Sequence, residues 1–246
     1  MKKIFFLFLV TGLSPLLFGQ YPDGKDILRK IDNNMISENR YYESSMIIHG
    51  RRTSLTFKLK TWTAGETKSF TEYLFPVREQ GTKMLKLDDQ LWIYSPSADR
   101  IIQIAGHMLR QSVMGSDLSY EDLMEDSKLS DQYDAKVTGE EVVDGRKCWI
   151  VELTAFVPEI AYHGKKLWVD QERNIPLREE LFAKSGTLLK RTQLSDVRRI
   201  NERWYPGKIL FKDMLKEGQG TELIIDEIRF NIPVPDHIFS KASLKK

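Results

Sequence analysis

The residues able to do chemistry are few, and their spacing argues against catalysis. His49, His107, His163 and His237 lie far apart with no metal-ligand spacing, and neither an HExxH run nor paired cysteines occur. No GxSxG elbow is present, and Gly115 to Ser119, GSDLS, is not one, since Ser116 lacks the strand–turn–helix setting. The acid pairs Glu140-Glu141 and Glu179-Glu180 fall in strand-like stretches, where neighbours point to opposite faces and cannot act on one substrate atom. No phosphate loop or dinucleotide fingerprint is present. We therefore expect no catalytic residues, no metal and no cofactor.

What the chain does offer is apolar surface. His107 to Glu125, HMLRQSVMGSDLSYEDLME, is a methionine-rich island between two blocks of strands. Met108, Leu109, Val113 and Met114 recur at helical spacing until Gly115, and Ser119 with Asp122 reads as a capping box opening a second turn with Leu123 and Met124. Two such short amphipathic pieces cannot fold alone and need an apolar surface to lie on. Unbranched methionines suit a surface whose shape changes with a guest, or simply plug a core.

The elements that position the island are strands. After a helix expected over Asp23 to Ser37, with Ile27, Leu28, Ile31, Met35 and Ile36 on one stripe, the apolar period changes from helical to two. Leu55, Phe57 and Leu59 alternate with Thr56, Lys58 and Lys60, the mark of a sheet with one wet side. Trp149, Val151 and Leu153 alternate likewise after Asp144-Gly145, a strong two-residue hairpin signal. Short turns throughout predict an antiparallel meander of roughly ten or eleven strands in one sheet system. A sheet that long must curl, and two helical pieces cannot fill a wide barrel. The expectation is either a small packed barrel or one that keeps an internal cavity.

Composition bounds the rest. The chain has 246 residues, 41% hydrophobic and 29% charged, within the range of a globular protein. Residues 1–19 carry Lys2, Lys3 and an apolar run from Ile4, interrupted by Thr11, Gly12, Ser14 and Pro15, which reads as a cleaved secretory signal peptide. The remainder, 20–246, is expected to be a single domain. Without Lys2 and Lys3 the formal charge falls from +2 to zero, leaving no broad field for nucleic acid or an anionic membrane. Cys148 is the single cysteine, so no internal disulfide can form, and it lies too far from the leader to be a lipidation site.

Pro76, Gly81-Thr82, Met84-Leu85, LWIYSPS from Leu91 to Ser97, Arg100 and MGSDLSYEDL from Met114 to Leu123 together resemble the LolA-like outer-membrane lipoprotein-sorting proteins. The likeness continues to the final PDHIFS and is to the broader group. It implies a mainly β fold, an open, incomplete antiparallel β-barrel whose concave hydrophobic face is closed by a helical lid and receives acyl chains. It also implies a monomeric periplasmic carrier of acylated lipoprotein or other lipid cargo, partnered by an inner-membrane donor complex and an outer-membrane acceptor, while the neutral charge already argues against nucleic acid. A sensory module for envelope lipoprotein state, or an accessory protein of a lipid export system, is the alternative on the same fold. The carriers use an arginine on an early strand, and nothing in the local pattern selects Arg51 or Arg52 for that place. The expected lid residues are Met108, Leu109, Val113, Met114, Leu118, Tyr120, Leu123 and Met124. They are expected to face Leu55, Phe57, Leu59, Trp149, Val151, Leu153, Leu167 and Val169, joined by Trp92 and Tyr94, although Leu91 and Ile93 compete for that inward face.

Overall fold

The computed structural model describes residues 21–125 and 127–246, so the expected leader lies outside the described residues. Its helix is α1 (Gly24–Met35), where the Asp23 side chain accepts from the Lys25 amide and Ile27, Leu28 and Ile31 are buried. The strands of the first half are β1 (Asn39–His49), β2 (Ser54–Ala64), β3 (Lys68–Phe75), β4 (Lys83–Leu87), β5 (Gln90–Ser95) and β6 (Arg100–Ile104). Those of the second half are β7 (Tyr133–Val143), β8 (Arg146–Ala155), β9 (Gly164–Asp170), β10 (Pro176–Phe182), β11 (Leu188–Ile200), β12 (Arg203–Asp213) and β13 (Thr221–Phe230). All thirteen form one antiparallel sheet in the order β6-β5-β4-β3-β2-β1-β13-β12-β11-β10-β9-β8-β7. The count exceeds the expected ten or eleven because the short tight turns leave almost every apolar run as a strand of its own.

This order has a simple origin. Each half is a meander, and the pairing of β1 with β13 joins them in the middle. Strands β6 and β7 therefore end up at opposite edges, although they are consecutive in the chain. The intervening residues must cross the concave face, and they form the island. The sheet is not closed into a barrel.

The inward faces form two cores. Met46, Phe57, Leu59, Tyr73, Met84, Leu91 and Ile104 make one on β1–β6, capped by the island. Val137, Val151, Leu153, Leu167 and Val169 make the other on β7–β9, capped by Ile27, Leu28 and Ile31 of α1. Helix α1 approaches β7 so closely that a Cβ on Gly24 would lie 2.4 Å from the Ala135 carbonyl oxygen, which leaves room for glycine alone. Polar side chains on its inner side complete the attachment. Asp32 accepts from the Leu129 and Ser130 amides, and Asn34 bonds the Arg173 and Asn174 carbonyls.

Two expectations fail. The island contains no α-helix, only 3₁₀ turns at Gly106–Arg110, Val113–Gly115 and Asp122–Met124, with a further one beyond it at Leu129–Asp131. A bridge between Ser112 and Ser119, with the Val113 amide donating to Leu118 at 2.9 Å, folds it as a hairpin around Met114 and Gly115, both at positive φ. Ser116 and Ser119 bond nearby backbone instead of continuing a helix, the usual competition from such side chains. The outer side of the sheet is also not wholly wet. Trp62, Phe70, Leu85 and Trp92 form a cross-strand ladder there, covered by Phe239 and Leu244 of the C-terminal segment.

Fully buried Leu28 fills the α1–sheet contact, so Leu28→Ala should lower the unfolding free energy by about 3 kcal/mol in urea titration. A second test concerns the buried Asp170 side chain, which Arg146 grips with contacts of 2.7 and 3.0 Å. Burial pushes its carboxyl up, but the Arg146 guanidinium and the Arg173 and Glu172 amides outweigh burial and hold it below the ordinary carboxylate range. A depressed folded value means stability that is present above the unfolded value and lost as pH falls through the folded one. Asp170→Asn should therefore be less stable than wild type at pH 7, with the difference shrinking in acid; a gap independent of pH would refute this.

Candidate functional site

Between the two cores the concave face is not filled. A cavity of about 350 Å³ remains, within the size range of small-ligand sites. Its floor is apolar, formed by Leu194 of β11, Ile209 and Phe211 of β12 and Leu223 of β13, with Pro176 and Leu181 of β10 beside them. Ile31 and Met35 of α1 form one wall, and Leu118, Leu123 and Leu129 from the crossing segment form the roof. These side chains reach one space because β10–β13 present alternate residues inward while α1 and the island stand on either flank.

The expected lid residues fall into three groups. Leu118 and Leu123 line the cavity. Met108, Leu109, Met114, Tyr120 and Met124 pack instead on the β1–β6 core together with Phe57 and Leu59, and Val113 is buried. On the facing side, Trp149, Val151, Leu153, Leu167 and Val169 lie beneath α1, so the helix and not the island covers them. Leu55 shares the parity of Phe57 but sits at the strand end and is 57% exposed. Trp92 and Tyr94 require correction: they belong to the outer ladder under the C-terminal segment, while Leu91 and Ile93 take the inward places. Parity alone cannot choose a face when both carry large apolar residues.

The roof is held down by polar side chains. Ser119 and Asp122 do form the expected reciprocal cap, with the Ser119 amide donating to Asp122 at 2.6 Å. Asp122 also accepts from the Tyr162 hydroxyl at 2.5 Å and from the Lys190 ammonium. Glu125 meets Lys165 of β9 at 3.2 Å. Asp117 accepts from Thr221 Oγ1 at 2.8 Å and from the Asp213 amide at 2.9 Å, while Lys86 of β4 donates to the Met124 and Glu66 carbonyls.

These groups give the cavity a second, charged wall on which Asp122, Glu125, Tyr162, Lys165, Glu179 and Lys190 all lie. Burial opposes the Lys165 ammonium, but Glu125, Tyr133 and Glu179 together outweigh it and hold the amine above its ordinary range. Glu179 is pushed up by burial, only partly offset by Lys165. Burial and the Asp122 carboxylate keep the Tyr162 hydroxyl protonated, and burial pushes Tyr133 beneath Lys165 up to about 12. Among the described residues no three His, Cys, Asp or Glu side chains are grouped to hold a metal ion. The cavity thus combines an apolar floor, a charged wall and a roof held by polar side chains.

Sequence reasoning missed the charged wall, yet the signal was there. Lys165 shares the inward parity of Leu167 and Val169, and Glu179 that of Leu181, so two strands display a charge toward the interior.

Several comparisons place this geometry. A family model described as "-like: Uncharacterized protein" matches residues 65–246. No curated protein matches. Among solved structures, a DUF1329 family protein from Desulfovibrio piger is 28% identical, with a TM-score of 0.82 over 90% of this chain and 97% of that one. A putative outer membrane lipoprotein-sorting protein domain from Vibrio parahaemolyticus is 22% identical at TM-score 0.79, covering 91% of this chain and 98% of that one. A LolA superfamily protein from Nitrosomonas europaea is likewise 22% identical, at TM-score 0.75 over 91% of this chain and 100% of its own. The overall fold is thus shared over nearly the whole length of three proteins. With its match over residues 65–246, the chain belongs to the family that this model describes, and it shares its fold with the LolA superfamily protein and the lipoprotein-sorting domain.

Proposed function

We propose that the protein is an envelope carrier that receives the acyl chains of a lipoprotein or another lipid between its sheet and its island and hands them toward the outer membrane. The observation that carries this reading is the cavity of about 350 Å³, which a core built only for stability would have filled with side chains. Each methylene moved from water to the floor of Leu194, Ile209, Phe211 and Leu223 contributes about 0.8 kcal/mol, so chain length alone supplies most of the affinity. Release needs a competitor for the apolar floor. Leu118 and Leu123 on the roof supply one once the polar attachments at Asp122 and Glu125 give way and let the roof reach the floor.

The reading includes export through the leader at residues 1–19, cleavage there, residence in the periplasm and a single domain from residue 20 onward. An inner-membrane donor and an outer-membrane acceptor complete the route. Binding rather than catalysis fits a site where Asp122, Glu125, Lys165 and Lys190 are engaged in holding the roof.

Native mass spectrometry of the protein taken from its own periplasm should detect a retained acylated ligand of definite mass. In vitro, the uncharged fluorescent probe N-phenyl-1-naphthylamine should bind, and Ile209→Trp, which fills the floor, should weaken it by about ten-fold or more. Equal affinity in the two proteins would place the probe elsewhere and defeat the carrier reading. The roof can be tested separately. Asp122→Asn keeps an acceptor for the Ser119 amide but removes the charge opposite Lys190. Hydrogen exchange in residues 112–124 should then quicken and probe association should accelerate; exchange at the wild-type rate would refute the latch.

A further inference from the structure

The charged wall carries more information than closure requires. Four carboxylates line the cavity, Asp32, Asp122, Glu125 and Glu179, against three cations, Arg40, Lys165 and Lys190, among the described residues. The lining is therefore formally negative by one charge, or neutral when Glu179 holds a proton. In neither state is it positive.

Donors and acceptors are just as unevenly matched. Lys190 donates to Asp122, Lys165 is paired with Glu125, and Arg40 donates to the Met35 carbonyl and the Tyr205 hydroxyl. Asp122 accepts from Ser119, Tyr162 and Lys190, and each Asp32 oxygen accepts one amide. On the charged wall two acceptors stand out. Glu125 Oε1 is buried without a hydrogen-bond partner, and the Glu179 carboxyl borders the cavity across β9–β10 from Leu167, making no ion pair within 4.0 Å. A buried acceptor left unmatched is destabilising, and a ligand that donates to it removes that penalty.

We infer that the cargo head seated against Glu125 and Glu179 is a hydrogen-bond donor without negative charge, such as a hydroxyl- or amide-bearing group, and that acyl anions are selected against. This inference rests on the carrier reading and refines it: the floor takes the chain, and the wall sorts the head. A carboxylate or phosphate placed there would meet two carboxyls, beside Lys165 and Lys190 that are already paired with Glu125 and Asp122.

The test compares monolauroylglycerol with laurate, each below its micellar concentration, by calorimetric titration at pH 8. Both carry the same chain; only the head differs. Wild type should prefer the glycerol ester by about ten-fold or more. A carboxylate is better hydrated and would bind any apolar cavity less well, so the decisive reading is the ratio in Glu179→Met, which removes the acceptor and its charge while keeping the side chain's length. That ratio should fall severalfold toward parity. If circular dichroism shows that this variant has not folded, Glu125→Gln gives the same reading with a smaller expected fall. Laurate binding as tightly as the ester, or a ratio unchanged in the folded variant, overturns the inference while leaving the carrier intact. Failure of N-phenyl-1-naphthylamine to bind wild type removes the carrier, and the head-group inference with it.

Discussion

The structure depends on one topological constraint: a thirteen-stranded sheet that curls without closing must cover its own concave face. Its two edge strands, β6 and β7, follow one another in the chain, so the link between them has to cross that face. The crossing segment thereby becomes the roof. Helix α1 covers the other flank, and neither piece is bulky enough to fill the space between them. An internal hollow follows from the strand order and from the shortage of helical mass.

Why the hollow survives is a question of how the roof is held. Apolar packing alone would draw the island down onto Leu194, Ile209 and Leu223 and abolish the cavity. Buried polar attachments act differently, because their geometry fixes a distance. Asp117 on Thr221, Asp122 on Tyr162 and Lys190, and Glu125 on Lys165 each demand one position of the backbone that carries them. Such pairs contribute little net stability, since desolvation offsets most of their attraction. Here they determine where the roof stands. The same groups form the wall against which a guest's head would rest, so closure and recognition share residues.

Legibility in the sequence followed the strength of each local rule. Asp144-Gly145 adopts positive φ at both positions and turns β7 into β8 as its residue types require. The alternation of Phe57 and Leu59 placed that face inward, and the stripe of Ile27, Leu28 and Ile31 placed α1. Trp92 was misread because Leu91 and Ile93 are equally apolar, and nothing local reveals that Phe239 and Leu244 come from far along the chain to cover the other side. The island was misread for a different reason. Its helical spacing is real, but Ser116, Asp117 and Ser119 spend their side chains on backbone and on distant strands, and the resulting bonds favour a hairpin.

Periodicity and turn chemistry, which act between residues a few positions apart, determined from sequence alone that the chain is an antiparallel meander interrupted by an apolar crossing segment. The cavity and its charged wall were decided only in three dimensions. Lys165 and Glu125 are separated by 40 residues, and Lys190 and Asp122 by 68, so no local pattern couples them. Their meeting depends on the pairing of β1 with β13, which sets how far apart the two edges lie and where the crossing segment must come down.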